Sequence, residues 1–267
     1  KAWMDRWQGE DVFDRILELE GRVYREQKGR TTFQFAWEGK RYFAKVHRGV
    51  GWKEIFKNLF QLRLPVLGAW NEWRAVRRLD RLGIQTVPLV GYGRRGWNPA
   101  RMQSFVITEA LTDTVSLENF CRDWRTSPPT PRVKRALIQE VARTVRTLHK
   151  NGMNHRDLYL SHFLLRRNTE MQGGGEDFPR LYLIDLHRAQ VRGSTPLRWR
   201  LKDLAGLCFS SMDIGLTRAD AMRFVRAYEG RPIKTSLRQN QRFWTRVRRD
   251  AIRLYRKVFG REPVDPV

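Results

Sequence analysis

A chain of 267 residues suffices for one large domain or two closely packed lobes. Its 41% hydrophobic and 12% aromatic content can bury a substantial core, which excludes wholesale disorder, and no run approaches the roughly 18 apolar residues of a membrane-spanning helix. Lysine plus arginine outnumber aspartate plus glutamate by 52 to 28, a formal +24, and such a field attracts polyanions: nucleic acid, an anionic membrane surface, or an acidic protein or substrate.

Lys1-Ala2-Trp3-Met4-Asp5 has no apolar run and does not read as a signal peptide; the absent initiator methionine leads us to expect a short preceding tail. Residues 11–19 form the first helix expected, with Phe13, Ile16 and Leu17 on one stripe, ended by Gly21. Residues 23–27, 31–37 and 41–46 are short strand candidates. Phe33, Phe35 and Trp37 alternate with Gln34 and Ala36, and Glu38-Gly39 turns the chain, so residues 22–47 predict an antiparallel three-stranded meander. Residues 48–68 interrupt it. Within them, 52–62 is amphipathic, with Ile55, Phe56, Leu59 and Phe60 opposite Lys53 and Lys57, and reads as a helix docked on the sheet or as a membrane or partner surface.

A helix over 69–82, ended by Gly83, and strands at 88–93 and 104–107 complete the β-rich part. From about residue 112 the pattern is helical: 116–124 capped by Ser116, then a long helix opened by Thr130-Pro131 with Val133, Leu137, Val141, Val145 and Leu148 on one stripe and Gly152 at its end. Residues 162–165 and 181–184 predict a hairpin with a glycine run, 173–175, at its tip, and helices follow at 200–211, 218–229 and 238–259. Cys121 and Cys208 lie far apart without metal-ligand spacing and are expected to be reduced thiols of a cytosolic protein.

His155-Arg156-Asp157 follows the long helix, and the second strand of the hairpin delivers Ile184-Asp185-Leu186. Two carboxylates at the ends of rigid elements suit phosphoryl transfer, one accepting the acceptor's proton while the other holds Mg²⁺, which neutralises charge on the phosphates. Upstream, Lys45 on the third meander strand can reach nucleotide phosphates, and Glu72 on the next helix can hold it.

This ordered set resembles the protein-kinase-like superfamily: Lys45 matches its strand lysine, Glu72 its helix glutamate, Asp157 its catalytic-loop aspartate and Asp185 its metal aspartate. The resemblance implies an α+β fold of two lobes, a small β-rich lobe over 1–110 carrying the 48–68 insertion and a larger helical lobe over 111–267. It also implies that the backbone of Glu109 to Leu111 hydrogen-bonds the adenine. Departures from the pattern are visible. Gln27-Lys28-Gly29-Arg30 stands in place of a glycine-rich phosphate loop, His162 in place of an asparagine metal ligand, and Asp185-Leu186-His187 in place of Asp-Phe-Gly. Only residues 186–198 separate Asp185 from the next helix, too few for a protein-substrate platform, which points to a small-molecule or lipid-sugar acceptor.

Longer strings, 43–59, 154–165, 184–190, 198–204 and 212–217, resemble the lipopolysaccharide core heptose kinase family nearly end to end. That resemblance implies transfer of the ATP γ-phosphoryl group to the first heptose of the lipopolysaccharide inner core on lipid A. It implies a cytoplasmic protein, peripheral at the cytosolic face of an anionic inner membrane, whose basic surface concentrates an acceptor bearing phosphates and acidic sugars. By the same resemblance Asp203 braces the catalytic loop, with pairing to a neighbouring arginine as the alternative, and nucleic acid is not an expected partner. A small acidic protein, acyl carrier protein being one, is a further candidate for the 48–68 segment and the basic helices. The competing readings are a kinase of another sugar or small molecule on the same fold, and a catalytically inactive kinase fold binding polyanions.

Overall fold

Period-two burial between residues 30 and 47 builds the first sheet. In the computed structural model, which describes residues 11–27, 29–49, 51–60, 68–167 and 179–264, helix α1 (Val12–Glu18) leads into strands β1 (Arg22–Gln27), β2 (Arg30–Trp37) and β3 (Lys40–His47). With β4 (Leu89–Arg95) and β5 (Gln103–Glu109) they form an antiparallel five-stranded sheet in the order β1-β2-β3-β5-β4. The β2–β3 turn holds Glu38 and Gly39 at φ of 46° and 74°, the doubly positive pair of a tight hairpin turn. Phe33, Phe35, Tyr42, Ala44, Val46, Phe105 and Ile107 make one apolar face covered by Ile16. Because successive side chains of a strand point to opposite faces, Lys45, flanked by the buried Ala44 and Val46, is turned away from this core.

Helices α2 (Gly51–Phe60) and α3 (Trp70–Arg81) follow. Trp52, Phe56 and Phe60 of α2 are all exposed, so these side chains do not dock as a core face; the side chains of Ile55, Lys57 and Leu59, and residues 61–67, lie outside the description. Two compact units emerge, one of Lys1–Arg74 with Val87–Leu111, the other of Ala75–Thr86 with Thr112–Val267.

The second unit contains β6 (Thr114–Ser116), α4 (Leu117–Phe120), α5 (Pro131–Lys150), β7 (Met153–Asn154), β8 (Phe163–Arg166), β9 (Leu181–Leu183), β10 (Gln190–Val191), α6 (Leu197–Ser210), α7 (Arg218–Glu229) and α8 (Ile233–Phe259). The expected hairpin is the β8–β9 pair, with Phe163 opposite Leu183; its glycine run at 173–175 lies outside the described residues. Thr130 caps α5 by accepting from the Val133 N–H, and Leu137, Val141, Val145 and Leu148 are buried as the periodicity requires. Gly152 then reverses the chain at φ 72°, where a β-carbon would stand 2.0 Å from the Arg192 carbonyl oxygen, so no other residue fits at the entrance to the loop that carries Asp157.

Three predicted bounds move. The helix expected over 116–124 covers only Leu117–Phe120, capped by Ser116 as predicted. α6 and α8 begin earlier than their hydrophobic patterns, at Pro196 and Pro232, whose fixed φ suits a helix start; α8 breaks its helical geometry at Asn240. Cys121 and Cys208 are both free thiols, pushed up by burial to about 12 and about 11. Among the described residues no helix is long and apolar enough to cross a membrane.

The ion pair tying α7 to α5 sets an acid limit on this unit. Burial pushes the Asp220 carboxyl up, but the bonds from Lys134 Nζ (2.9 Å) and Thr217 together outweigh it and hold the group below its ordinary 3.8. A carboxylate depressed in the folded state stabilises fully above its unfolded value and loses that contribution as the pH falls below it. Asp220→Asn is expected to cost about 1–3 kcal/mol at pH 7 and to flatten the loss of stability below pH 3.8, as read from denaturant melts across the acid range.

Candidate active site

In the first unit, Lys45 Nζ lies 2.5 Å from Glu72 Oε1, and the Glu72 side chain is only 5% exposed. Burial keeps water from competing for the pair. The other oxygen of Glu72, Oε2, is buried with no hydrogen-bond partner. At the β1–β2 turn Gly29 has a φ of 79°, and its carbonyl accepts from the Arg48 N–H at 2.8 Å; Lys28, one of the basic residues of that turn, lies outside the description. The unit ends at Leu111. Of the three residues expected at the adenine, Glu109 donates its N–H to Pro88 O (2.9 Å) and Ala110 to Arg41 O (2.8 Å), while the Leu111 N–H has no such bond among the described residues.

The second unit is organised round a fully buried carboxylate. Asp203 of α6 accepts from the His155 N–H through Oδ2 and from the Arg156 N–H through Oδ1, both at 2.7 Å, and His149 Nε2 donates to Oδ2 at 3.3 Å. His149 Nδ1 accepts from the Tyr228 hydroxyl at 2.9 Å, which in turn accepts from Arg200 Nε at 3.2 Å. A tautomer with the proton on His149 Nε2 satisfies every member of this chain. Arg156 is held at φ 76°, a costly conformation for a branched-off backbone without glycine, and the two amide bonds to Asp203 are what over-determine it.

His155 joins this brace to the chain just before Asp185. Its Nε2–H donates to the Ile184 carbonyl at 2.9 Å, its Nδ1 is buried without a partner, and burial lowers its pKa, so the ring is neutral near pH 7. His162 Nδ1 donates to the Asp157 carbonyl at 2.7 Å, which turns Nε2 towards Asp185 Oδ2 at 3.6 Å. His187 Nδ1 contacts Asp185 Oδ1 at 2.6 Å, and Asp185 itself has a left-handed φ of 60°. Asp157 and Asp185 are thus linked through one imidazole. Arg188 Nη1 donates to Asp157 Oδ1 at 2.8 Å, leaving Oδ2 without a protein partner among the described residues.

The model of the Lipopolysaccharide kinase (Kdo/WaaP) family matches residues 14–228. The chain belongs to this family. Among curated Kdo/WaaP-family proteins, the lipopolysaccharide core heptose(I) kinase WaaP of Pseudomonas aeruginosa is 51% identical over 251 residues, covering 94% of this chain and 92% of the relative. The same-named protein of Escherichia coli is 51% identical over 235 residues, covering 88% of each. A solved structure described as WaaP in complex with acyl carrier protein superposes with a TM-score of 0.82 at 46% identity, covering 96% and 97% of the two chains. The α+β protein-kinase-like fold is therefore that of this family.

Sequence reasoning left Arg188, His187 and the His149–Tyr228 arm without a role. His149 stood within reach of it: it falls four positions after Val145 on the buried stripe of α5, where an imidazole needs polar partners. Arg188 carries no such mark, because its pairing with Asp157 spans 31 positions.

If Asp203 is the brace, Asp203→Asn should fold yet turn an amide NH₂ towards a backbone donor. The expected outcome is hydrogen exchange at the His155 and Arg156 amides at least tenfold faster, corresponding to about 1.4 kcal/mol or more of local stability, while exchange in α8 stays unchanged. Equal protection at both amides would show that the loop holds itself.

Proposed function

We propose that the protein transfers a phosphoryl group from ATP to a hydroxyl of the first heptose of the lipopolysaccharide inner core. The observation that carries this reading is the 51% identity, over 94% of the chain, to a heptose(I) kinase; the arrangement around Asp157 supplies the chemistry. Lys45, held by Glu72, contacts the nucleotide phosphates. The Leu111 N–H serves as the adenine donor, since the neighbouring two amides are engaged. Arg188 anchors one oxygen of Asp157, and the other orients the heptose hydroxyl and takes its proton as the oxygen attacks in line.

Asp185 is the residue that would hold Mg²⁺. Magnesium takes one or two carboxylates and completes its octahedron with water and phosphate oxygens, and the partly exposed carboxylate of Asp185 fits that role. When bound, the ion neutralises charge on the phosphates. His162 and His187 flank the two oxygens of Asp185 and fix its orientation; with oxygen preferred by this ion, His162 acts as a positioning residue. The basic surface suits a peripheral site at the cytosolic face of an anionic membrane.

We also propose an acyl carrier protein as partner, as the related WaaP complex suggests. On α8, Arg246, Arg249 and Arg253 share the single carboxylate of Asp250 at 3.6–3.7 Å and are otherwise exposed, a surface complementary to an acidic protein. The opposite side of the same helix, through Leu237, Trp244 and Val247, lines an apolar cavity of roughly 310 Å³ with Leu137, Val141 and Leu207, which can accept a fatty-acyl chain.

The test of the activity is transfer of labelled phosphate from Mg-ATP to core lipopolysaccharide lacking heptose phosphate. Label should appear on the heptose with the intact protein and fall by about 10²–10⁴-fold in Asp157→Asn. No label on dispersed acceptor while nucleotide binds would assign another acceptor, and absence of nucleotide binding would favour an inactive polyanion-binding fold. For the partner, the intact protein should retain acyl carrier protein at low salt and release it as salt rises, and the Arg246→Glu, Arg249→Glu, Arg253→Glu triple variant should retain none; equal retention by the variant would remove α8 as the docking face.

A further inference from the structure

A group of cations gathers round one indole on the same unit as Asp157. Four of them surround the indole of Trp199: Arg156 Cζ at 4.9 Å from the ring centroid, Arg198 Cζ at 5.2 Å, Lys202 Nζ at 5.8 Å and Arg192 Cζ at 5.9 Å. Among the described residues, no carboxylate lies within ion-pair distance of Arg192, Arg198 or Lys202; Arg192 bonds instead to the neutral Asn154 Oδ1 at 2.8 Å. Attraction of each cation to the ring face holds the group together, but the cations repel one another and gain only when an anion enters.

Three further features aim this group at a ligand. Trp199 Nε1 is buried with no acceptor, a donor that an incoming oxygen would satisfy. Arg198 and Trp199 stand in the first turn of α6, which has no acidic residue there and no side-chain cap, so the positive end of the helix dipole adds to the cations instead of being offset. Burial lowers the Lys202 pKa, with Asp157 acting against it and Arg188 and Arg156 reinforcing it, so this amine lies in the electrostatic reach of Asp157.

We propose that Arg156, Arg192, Arg198 and Lys202, gathered round Trp199, bind the carboxylates of the acidic sugar that carries the accepting heptose. The proposal rests on the heptose-kinase reading and names the part of that acceptor held by this group. Guanidinium forks match carboxylate and phosphate alike, and proximity to the reacting carboxylate decides between them: Arg156 immediately precedes Asp157 in the chain, which suits a charge on the neighbouring sugar better than the phosphates at the far end of the acceptor. Anchoring there would present the heptose hydroxyl to Asp157 Oδ2.

The experiment measures binding, without nucleotide, of a deacylated inner-core saccharide that ends in unphosphorylated heptose and retains its acidic sugars and glucosamine phosphates. It compares intact protein with Arg192→Gln and with the Arg198→Gln, Lys202→Gln double variant, which leaves the Arg192–Asn154 bond in place; matching thermal melts establish that each is folded. Each variant should bind roughly tenfold or more weakly, and reducing the sugar carboxyls should weaken binding to the intact protein and erase its advantage over the variants. Undiminished binding by the variants overturns the site, as does an advantage that survives carboxyl reduction or is erased only by dephosphorylating the saccharide. Because binding is read apart from turnover, an intact protein that binds through these residues yet transfers no phosphate would sink the heptose-kinase reading and leave the anion site standing; an intact protein that does not bind the saccharide overturns the site.

Discussion

The second unit depends on one buried charge. Asp203 has no exposed surface, and removing a carboxylate from water costs several kcal/mol even after the protein relaxes. Two backbone amides and an imidazole offset that cost, and each bond is strengthened by the charge it meets. The exchange has a structural product: both amides belong to the stretch immediately before Asp157, and one belongs to a residue at positive φ. Without an acceptor of full charge at that point, the loop would relax to ordinary backbone and Asp157 would be carried with it. The brace is itself braced, since the His149–Tyr228–Arg200 chain fixes the imidazole from behind.

From that origin the site spreads by short polar links. His155 runs from the brace to the carbonyl of Ile184, so the residue before Asp185 is tied to the loop that carries Asp157. His162 spans from the Asp157 carbonyl towards the Asp185 carboxylate. The two imidazoles lie stacked, ring centroids 5.5 Å apart and 23° from parallel. The histidine at 162, where the protein-kinase pattern has asparagine, thus has a geometric reading here. The ring is long enough to hold the loop carbonyl with one nitrogen and address the Asp185 carboxylate with the other. In the first unit the Lys45–Glu72 pair has its buried glutamate restraining a flexible lysine.

The net charge of +24 divides into parts that behave differently. Some cations are structural, such as Lys134 on Asp220 and Lys45 on Glu72, and their partners are buried enough to resist salt. Others, on α8, crowd one partly buried carboxylate and form a face whose attraction for acidic surfaces fades as salt rises. The group at Trp199 is of a third kind: concentrated by an aromatic ring, with no carboxylate among the described residues at ion-pair distance from Arg192, Arg198 or Lys202. Composition alone cannot sort these, because a sum of charges says nothing of which are neutralised at short range.

Much of the molecule follows from local rules that the residues obey wherever they are placed. Alternation of Phe33 and Phe35 with polar neighbours makes a half-buried strand because strand side chains alternate faces, and the same rule puts Lys45 opposite Ala44 and Val46. Thr130-Pro131 and Gly152 bound the long helix because one supplies an N-terminal acceptor and the other a left-handed turn where a β-carbon would collide with the Arg192 carbonyl. The ordered residues Lys45, Glu72, Asp157 and Asp185 were legible for the same reason, each standing at the end or on a set face of such an element, and the longer strings pointed to the family. What only the tertiary structure decided were the partnerships across long stretches of chain: Asp203 with the amides 47 and 48 positions earlier, Arg188 with Asp157 31 positions earlier, and the convergence of Arg156, Arg192, Arg198 and Lys202 on one indole. Periodicity fixes which way a side chain faces from its own helix or strand, but it holds no information on which distant element will meet it. That is settled when the apolar faces pack together and the remaining polar groups must find one another.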